Sequence, residues 1–234
     1  MEDLNYKKIR RKRLNESLVS LRDRISLIEK ELGDLTNDHF RVSIFGSARI
    51  KPEDSNYNIA YYLAFLMGKL GVDVLTGGGP GLMEAANKGT IAGRSEANTK
   101  ARSFGLSIDL GKLEQPNPHL DIKQHHRKFS SRLDDFMRLS HVKIVLQGGI
   151  GTALELFYSW QLLQVNHLPE QRIILLGREY WGGLIEWVEK EMLVKKMVSE
   201  ADMRFVQFVE TPEEAAELVR LDFEEFKAQK IKQP

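Results

Sequence analysis

The fold follows from the stretch Val145-Leu-Gln-Gly-Gly-Ile-Gly-Thr-Ala-Leu-Glu155, in which an apolar run is followed by a glycine cluster and then by a helix-forming segment. Glycines at such a turn allow positive φ angles and close approach of a ligand to the backbone. The helix that follows directs its free N–H groups and the positive end of its dipole at the turn. Thr152 can cap that helix or donate to a phosphate. The stretch therefore predicts a strand–turn–helix unit with an anion site.

A second stretch has the same build: Val72-Asp-Val-Leu-Thr-Gly-Gly-Gly-Pro-Gly-Leu-Met-Glu84. One glycine turn is weakly specific, because glycine is common in tight turns. Two such turns at the ends of neighbouring strands favour a phosphorylated ligand over a purely structural role. Neither turn contains the phosphate-loop pattern G-x-x-x-x-G-K-[ST]. Neither completes the dinucleotide-binding pattern G-x-G-x-x-G, because Glu84 and Leu154 stand where that pattern has its third glycine. ATP hydrolysis and a dinucleotide cofactor are therefore disfavoured.

Short apolar runs alternate with helical patterns from residue 40 onward. This alternation predicts an α/β fold, a Rossmann-like doubly wound parallel sheet whose strand ends share one edge and whose ligand binds at that edge. We predict a helix over Gln124–Leu139, with His125 and His126 in its first turn. A further helix is predicted over Thr211–Lys227. The predicted strands are Arg41–Phe45, Val72–Leu75, Ser103–Ile108, Val142–Leu146, Arg172–Leu176 and Arg204–Val209.

Residues 1–38 differ in composition from residues 39–234, which we take as the Rossmann-like nucleotide-binding domain. The N-terminal segment has an apolar stripe with alternating steps of four and three residues, formed by Leu14, Leu18, Leu21, Ile25, Ile28, Leu32 and Leu35. Such a stripe is typical of a coiled coil that helps to dimerise a protein, or of an amphipathic helix packed on its own domain. The basic segment Lys7–Arg13 is either a nucleic-acid arm or a solvated helix start, and we prefer the second.

Composition excludes several function classes. The chain has 234 residues, is 42% hydrophobic, and carries a formal net charge of +1, which does not indicate a nucleic-acid or membrane partner. The absence of cysteine excludes disulfides, thiolate catalysis and Cys-ligated metals, and fits a cytosolic address. We expect no signal peptide, no membrane span, no metal site and no cofactor.

Glu155 and Arg127 are the candidate reactive groups. Glu155 follows the second glycine turn by about one helical turn, where a carboxylate could hold ribose hydroxyls or stabilise positive charge on a sugar whose glycosidic bond breaks. It could equally be a helix-start glutamate favoured by the dipole. Arg127 and Lys128 lie at a predicted helix start, where cations are unfavourable unless an anion is nearby. Alternatively, Arg127 is a surface residue.

Several linked motifs resemble the LOG (Lonely Guy) family. Gly148–Glu155 is similar to the family signature P-G-G-x-G-T-x-x-E, and His126–Lys128 resembles the Arg-Lys pair that precedes it. Phe45–Arg49 and Gly77–Ala85 resemble the family's first two strand-end motifs. The resemblance extends from Arg41 to Val209, which is most of the chain. Family members are often labelled lysine decarboxylases, but no pyridoxal-phosphate pattern surrounds any lysine here.

The resemblance implies a homodimer that hydrolyses a nucleoside 5′-monophosphate, either a cytokinin ribotide or an ordinary nucleotide, to free base and ribose 5-phosphate. It implies that Arg127 and Glu155 form the catalytic pair. Gln147 replaces the signature's proline, which puts the rigidity of the turn and the choice of substrate in doubt. The implied substrate- and phosphate-binding residues are Gly148, Gly149, Gly151, Thr152, Gly78, Gly79, Gly81, Glu84 and Lys128.

A non-catalytic nucleotide-binding or sensing protein on the same fold is the alternative function. In that case the N-terminal helix would be a partner-binding arm. Both interpretations use the two glycine turns, but only the enzyme requires Arg127 and Glu155 to converge.

Overall fold

The computed structural model describes residues 2–35, 39–108 and 115–231. The chain divides into two compact units, Met1–His39 and Phe40–Pro234. The second unit holds a seven-stranded sheet in which every pair of neighbouring strands is parallel. The predicted Rossmann-like α/β class is thereby confirmed.

The order of the strands in the sheet is β4-β3-β2-β1-β5-β6-β7. The chain therefore builds outward from β1 in one direction and then returns to β5 on its other side. The crevice between the carboxyl ends of β1 and β5 is a topological switch point, where open α/β sheets bind ligands. The strands are β1 Arg41–Phe45, β2 Asp73–Thr76, β3 Ser103–Ile108, β4 Ile122–His126, β5 Val142–Val145, β6 Arg172–Leu176 and β7 Val206–Val209.

Helices cover both faces of the sheet, because alternate residues of each buried strand are apolar on opposite sides. Val42 and Ile44 of β1 belong to one core cluster, and Phe45 belongs to the other. A π-helical turn, Glu189–Leu193, extends the sixth helix. The helices are α1 Glu2–Leu35, α2 Ser55–Leu70, α3 Leu82–Ala97, α4 Phe129–Leu139, α5 Ile150–Gln164, α6 Arg178–Val188, α7 Glu200–Met203 and α8 Pro212–Ile231.

The prediction of one helix over Gln124–Leu139 is wrong in its first part. Ile122–His126 is the edge strand β4, which pairs with β3 along Phe104–Ile108. Its residues are partly buried or exposed in strict alternation up to the buried His126, as expected of a strand that uses one face. Its polar composition concealed this period of two. The helix α4 begins only at Phe129, with Lys128 as its N-cap.

The N-terminal unit is the helix α1, and its apolar stripe is solvent-exposed where side chains are described. Leu14, Leu18, Leu21 and Ile25 are between 54 and 57% exposed. The rest of the predicted stripe lies where the structure does not describe side chains. No helix within the described ranges is long and apolar enough to cross a membrane.

Candidate active site

The segment after β1 connects the two glycine turns at the switch point. The backbone N–H of Ser47 donates to the carbonyl of Gln147 at 3.0 Å, and the N–H of Leu82 donates to the carbonyl of Ser47 at 3.0 Å. Gly81 has a φ of 71°, and a Cβ there would lie 2.5 Å from the Ser47 carbonyl oxygen. Only glycine therefore permits this approach. The two turns share one edge of the sheet as predicted, but they follow β2 and β5, which are not neighbouring strands, because β1 lies between them.

A buried polar network holds the first turn. The Thr76 hydroxyl donates to Asn87 Oδ1 at 2.7 Å and accepts from the N–H of Gly78 at 3.0 Å. Asn117 donates through its side-chain amide to Asn87 Oδ1 at 2.9 Å and to the carbonyl of Gly79 at 3.0 Å. The backbone N–H of Asn117 donates to the carbonyl of Gly78 at 2.8 Å. The network fixes the first turn without help from a ligand.

The second turn combines one packed glycine with two open ones. A Cβ at Gly148 would lie 2.1 Å from the hydroxyl of the buried Thr152, so that residue 148 must be glycine for the turn to keep its shape. A Cβ at Gly149 or Gly151 would meet nothing within 4 Å. Ile150, between them, is 89% exposed. The N-terminus of α5 therefore opens onto space that an anion can occupy.

Glu155 lies one helical turn further along α5 with most of its side chain covered, and its charged neighbour is Arg132 of α4. Arg132 Nη1 lies 3.9 Å from Glu155 Oε1, and the two side chains are only 14% and 12% exposed. Burial raises the pKa of Glu155 to about 7, although the arginine partly opposes this shift. Burial also lowers the pKa of Arg132. Glu155 can therefore exchange a proton near neutral pH.

Three contacts hold the Arg132 guanidinium between the two turns. Its Nε donates to the carbonyl of Leu106 at the end of β3, at 2.7 Å. The Nη2 atom of Arg132 lies 2.3 Å from the position that a Cβ atom on Gly77 would occupy. Its guanidinium carbon lies 5.2 Å from the centre of the Phe136 ring. These contacts orient Arg132 towards Glu155, and a side chain at residue 77 would displace the ends of the Arg132 and Met83 side chains.

The structure does not bring Arg127 and Glu155 together. Arg127 and Lys128 are both exposed, and no ion pair links Arg127 to Glu155 among the described residues. Glu84 is half-buried in the first turn of α3, beside the first glycine turn. The condition that Arg127 and Glu155 converge is therefore not met in this structure, and the charged partner of Glu155 is Arg132 instead.

Sequence reasoning missed Arg132 because its partner Glu155 lies 23 residues away, on another helix. Arg132 lies four residues before the buried Phe136, on the same face of α4. A cation on the buried face of an amphipathic helix needs an anionic partner. That placement was the signal for an Arg132–carboxylate pair. Among the described residues, no group of three or more His, Asp or Glu side chains could hold a metal ion.

Comparison with known proteins supports the family assignment. A family model described as "possible lysine decarboxylase" matches residues 83–219, which is more than half of the chain. The chain belongs to this family, the LOG family. It is 33% identical over 143 residues to the pyrimidine/purine nucleotide 5′-monophosphate nucleosidase of Escherichia coli K12. That match covers 58% of this chain and 32% of the relative, so the chain spans about a third of the curated relative.

Solved structures of similar fold cover nearly all of the Rossmann-like unit. A molybdenum cofactor binding protein from Rippkaea orientalis has a TM-score of 0.60 at 19% identity, over 79% of this chain and 98% of its own. The molybdenum cofactor carrier protein of Chlamydomonas reinhardtii has a TM-score of 0.57 at 18% identity, over 78% and 97%. At these identities the likeness of this LOG-family chain to them concerns the fold alone.

Proposed function

We propose that this LOG-family protein hydrolyses the N-glycosidic bond of a nucleoside 5′-monophosphate. The observation that carries the proposal is the position of Glu155: its carboxylate, only 12% exposed, lies on the helix that begins at the open glycine turn, and it faces Arg132 of α4. A purely structural glutamate at a helix start would be solvated. The nucleosidase relative acts on nucleotide 5′-monophosphates, as its name states, and supports the same substrate class here.

In the proposed reaction, water adds to C1′ of the ribose and the bond from C1′ to the base nitrogen breaks. The bonding electrons leave with the base, which takes up a proton, and the other product is ribose 5-phosphate. The Glu155 carboxylate stabilises the positive charge that develops on the sugar and accepts a proton from the attacking water. Arg132 is a positioning residue, since it orients that carboxylate and keeps part of it ionised.

The glycine turns hold the substrate in this proposal. The 5′-phosphate lies at the second turn, against backbone N–H groups at the start of α5, with Thr152 supporting the turn from behind. The first turn lines the opposite wall, where Glu84 can accept hydrogen bonds from the ribose. The exposed Arg127 and Lys128 lie at the start of α4 and attract the phosphate by long-range electrostatics. The residues that form the two turns are Gly148, Gly149, Gly151, Gly78, Gly79 and Gly81.

Release of free base is the direct test of the function. Purified protein is incubated with AMP, GMP, CMP, UMP and an isopentenyl-adenine ribotide, and the released base is measured by chromatography. We expect release from at least one nucleotide, and none from the matching nucleoside without its phosphate. Nucleotide binding without release would contradict the hydrolase and favour the non-catalytic binding protein. The ranking of the five substrates decides between a cytokinin ribotide and ordinary nucleotides.

We also propose that the protein is a homodimer in which α1 pairs with α1 of a second copy. The exposed stripe has heptad spacing. The two ends of the helix are opposite in charge: residues 7–13 are basic, whereas Glu29, Glu31 and Asp34 are acidic. Leu21→Glu, on the stripe, should weaken the dimer at least tenfold in sedimentation equilibrium. The neighbouring Ser20→Glu has the same added charge off the stripe and should not. Equal dissociation constants in both variants and wild type would exclude pairing through α1.

A further inference from the structure

The carbonyl of Gly148 in the second glycine turn accepts a hydrogen bond from outside the turn. The donor is the hydroxyl of Tyr180, in the first turn of α6, at 2.6 Å. The Tyr180 ring is 46% exposed, but it meets the buried Trp181 edge to face, with 5.0 Å between ring centres. The side chain is thus held in place by its neighbour, and only its hydroxyl reaches the turn.

This bond controls the direction of the next amide. A peptide unit is planar, so the C=O of Gly148 and the N–H of Gly149 point in opposite directions. Because Tyr180 holds the carbonyl on the α6 side, the N–H of Gly149 is directed to the other side. A Gly-Gly peptide otherwise rotates easily, since neither residue has a Cβ to restrict it. The Tyr180 hydroxyl is therefore one of the restraints on the orientation of this peptide unit.

The residue before the turn increases the importance of that bond. Gln147 stands where the LOG signature has proline, and glutamine does not restrict its own φ angle. The Gln147 carbonyl is held by the N–H of Ser47, but that contact lies one peptide earlier. The Gly148–Gly149 peptide is thus restrained by Tyr180 on the side of α6 and by the packing of Thr152 behind Gly148.

We infer that Tyr180 is a positioning residue for the 5′-phosphate: its hydroxyl directs the N–H of Gly149 at the anion. This inference rests on the proposed function, because it takes the second turn to be the phosphate site. Tyr180 does not touch the reacting atoms. Its loss should weaken the binding of every phosphorylated ligand without changing the chemical step.

The test compares Tyr180→Phe with wild type in phosphate-free buffer. Titration calorimetry with ribose 5-phosphate should give a dissociation constant about fivefold weaker in the variant, which is the usual contribution of one hydrogen bond. KM for the best nucleotide should rise by a similar factor, while kcat changes less than twofold. The matched control is Tyr158→Phe, which removes a tyrosine hydroxyl bonded to Asp134 instead, and it should behave as wild type.

The outcomes separate this inference from the hydrolase. If wild type binds ribose 5-phosphate but releases no base, the hydrolase fails, while the comparison of affinities still decides the role of Tyr180. Equal affinity of Tyr180→Phe and wild type for ribose 5-phosphate overturns the inference. So does an equal loss of affinity for the unphosphorylated nucleoside, or the absence of any ribose 5-phosphate binding by wild type.

Discussion

Replacing Glu155 by glutamine is expected to lower kcat for base release by about 10³-fold, in the range of losses seen when a general base or a charge-stabilising group is removed. Glutamine keeps the size of the side chain but can neither accept the proton of water nor carry the negative charge. KM should change little, because the glycine turns are intact. The measurement is steady-state base release from the best nucleotide.

Two controls make the Glu155 result specific. Glu96→Gln removes an exposed carboxylate from the far end of α3 and should keep wild-type kcat. The melting temperature of Glu155→Gln is measured as well and should fall, because Arg132 loses its anionic partner, so kcat is compared at a temperature at which both proteins are folded. A Glu155→Gln variant that retains more than a tenth of wild-type kcat would remove the carboxylate from the mechanism.

The same carboxylate predicts the pH profile. Burial raises the pKa of Glu155 to about 7, so the reactive carboxylate is populated only above that value. The value of kcat/KM should therefore rise with pH through about 7 and reach a plateau above about 8. The phosphate of the substrate also titrates, near 6. Its contribution is identical in every variant, so differences between profiles report on the protein.

Arg132→Gln is expected to lower kcat by about 10²-fold and to move the acid limb of kcat/KM to higher pH. The reason for the shift is that the guanidinium lowers the pKa of Glu155, so its removal leaves burial unopposed. The loss of kcat follows from a carboxylate that is less ionised and no longer oriented. The measurement is the pH profile of base release from pH 5 to 9.

Arg127→Gln is the matched comparison, because it removes the same charge from the start of the same helix. Arg127 is exposed and, among the described residues, forms no ion pair with Glu155, so its variant should keep the wild-type acid limb. Arg132→Lys retains the charge and should shift the limb less than Arg132→Gln, which also guards against a folding defect. A limb that moves in Arg127→Gln but not in Arg132→Gln would return the pairing role to Arg127.

The sequence was sufficient for the parts of the site that depend on local pattern. Both glycine turns were predicted at one edge of a parallel sheet, because strand–turn–helix units leave a strong periodic signal. Arg132 was not predicted, because its partner lies 23 residues away and the pairing depends on how α4 packs against α5. The edge strand β4 was missed for a related reason: five polar or half-buried residues have no apolar period.

The polar network of the first turn was equally invisible in the sequence. Asn87 lies in the middle of α3, where an asparagine has no local function. Its role becomes clear only when β3 and the segment that contains Asn117 are packed against it. Contacts of this kind join residues that are 16 to 30 positions apart in the chain, and no motif records them.

The network around Asn87 also determines how the entropic cost of ligand binding is divided between the two glycine turns, which form the two walls of the cleft. Hydrogen bonds from Thr76 and Asn117 restrain the first turn at Gly78 and Gly79, so in the proposed complex this turn has little conformational freedom left to lose. The second wall is open at Gly149 and Gly151. If the phosphate binds as proposed, more of the ordering cost of binding therefore falls on the second turn than on the first.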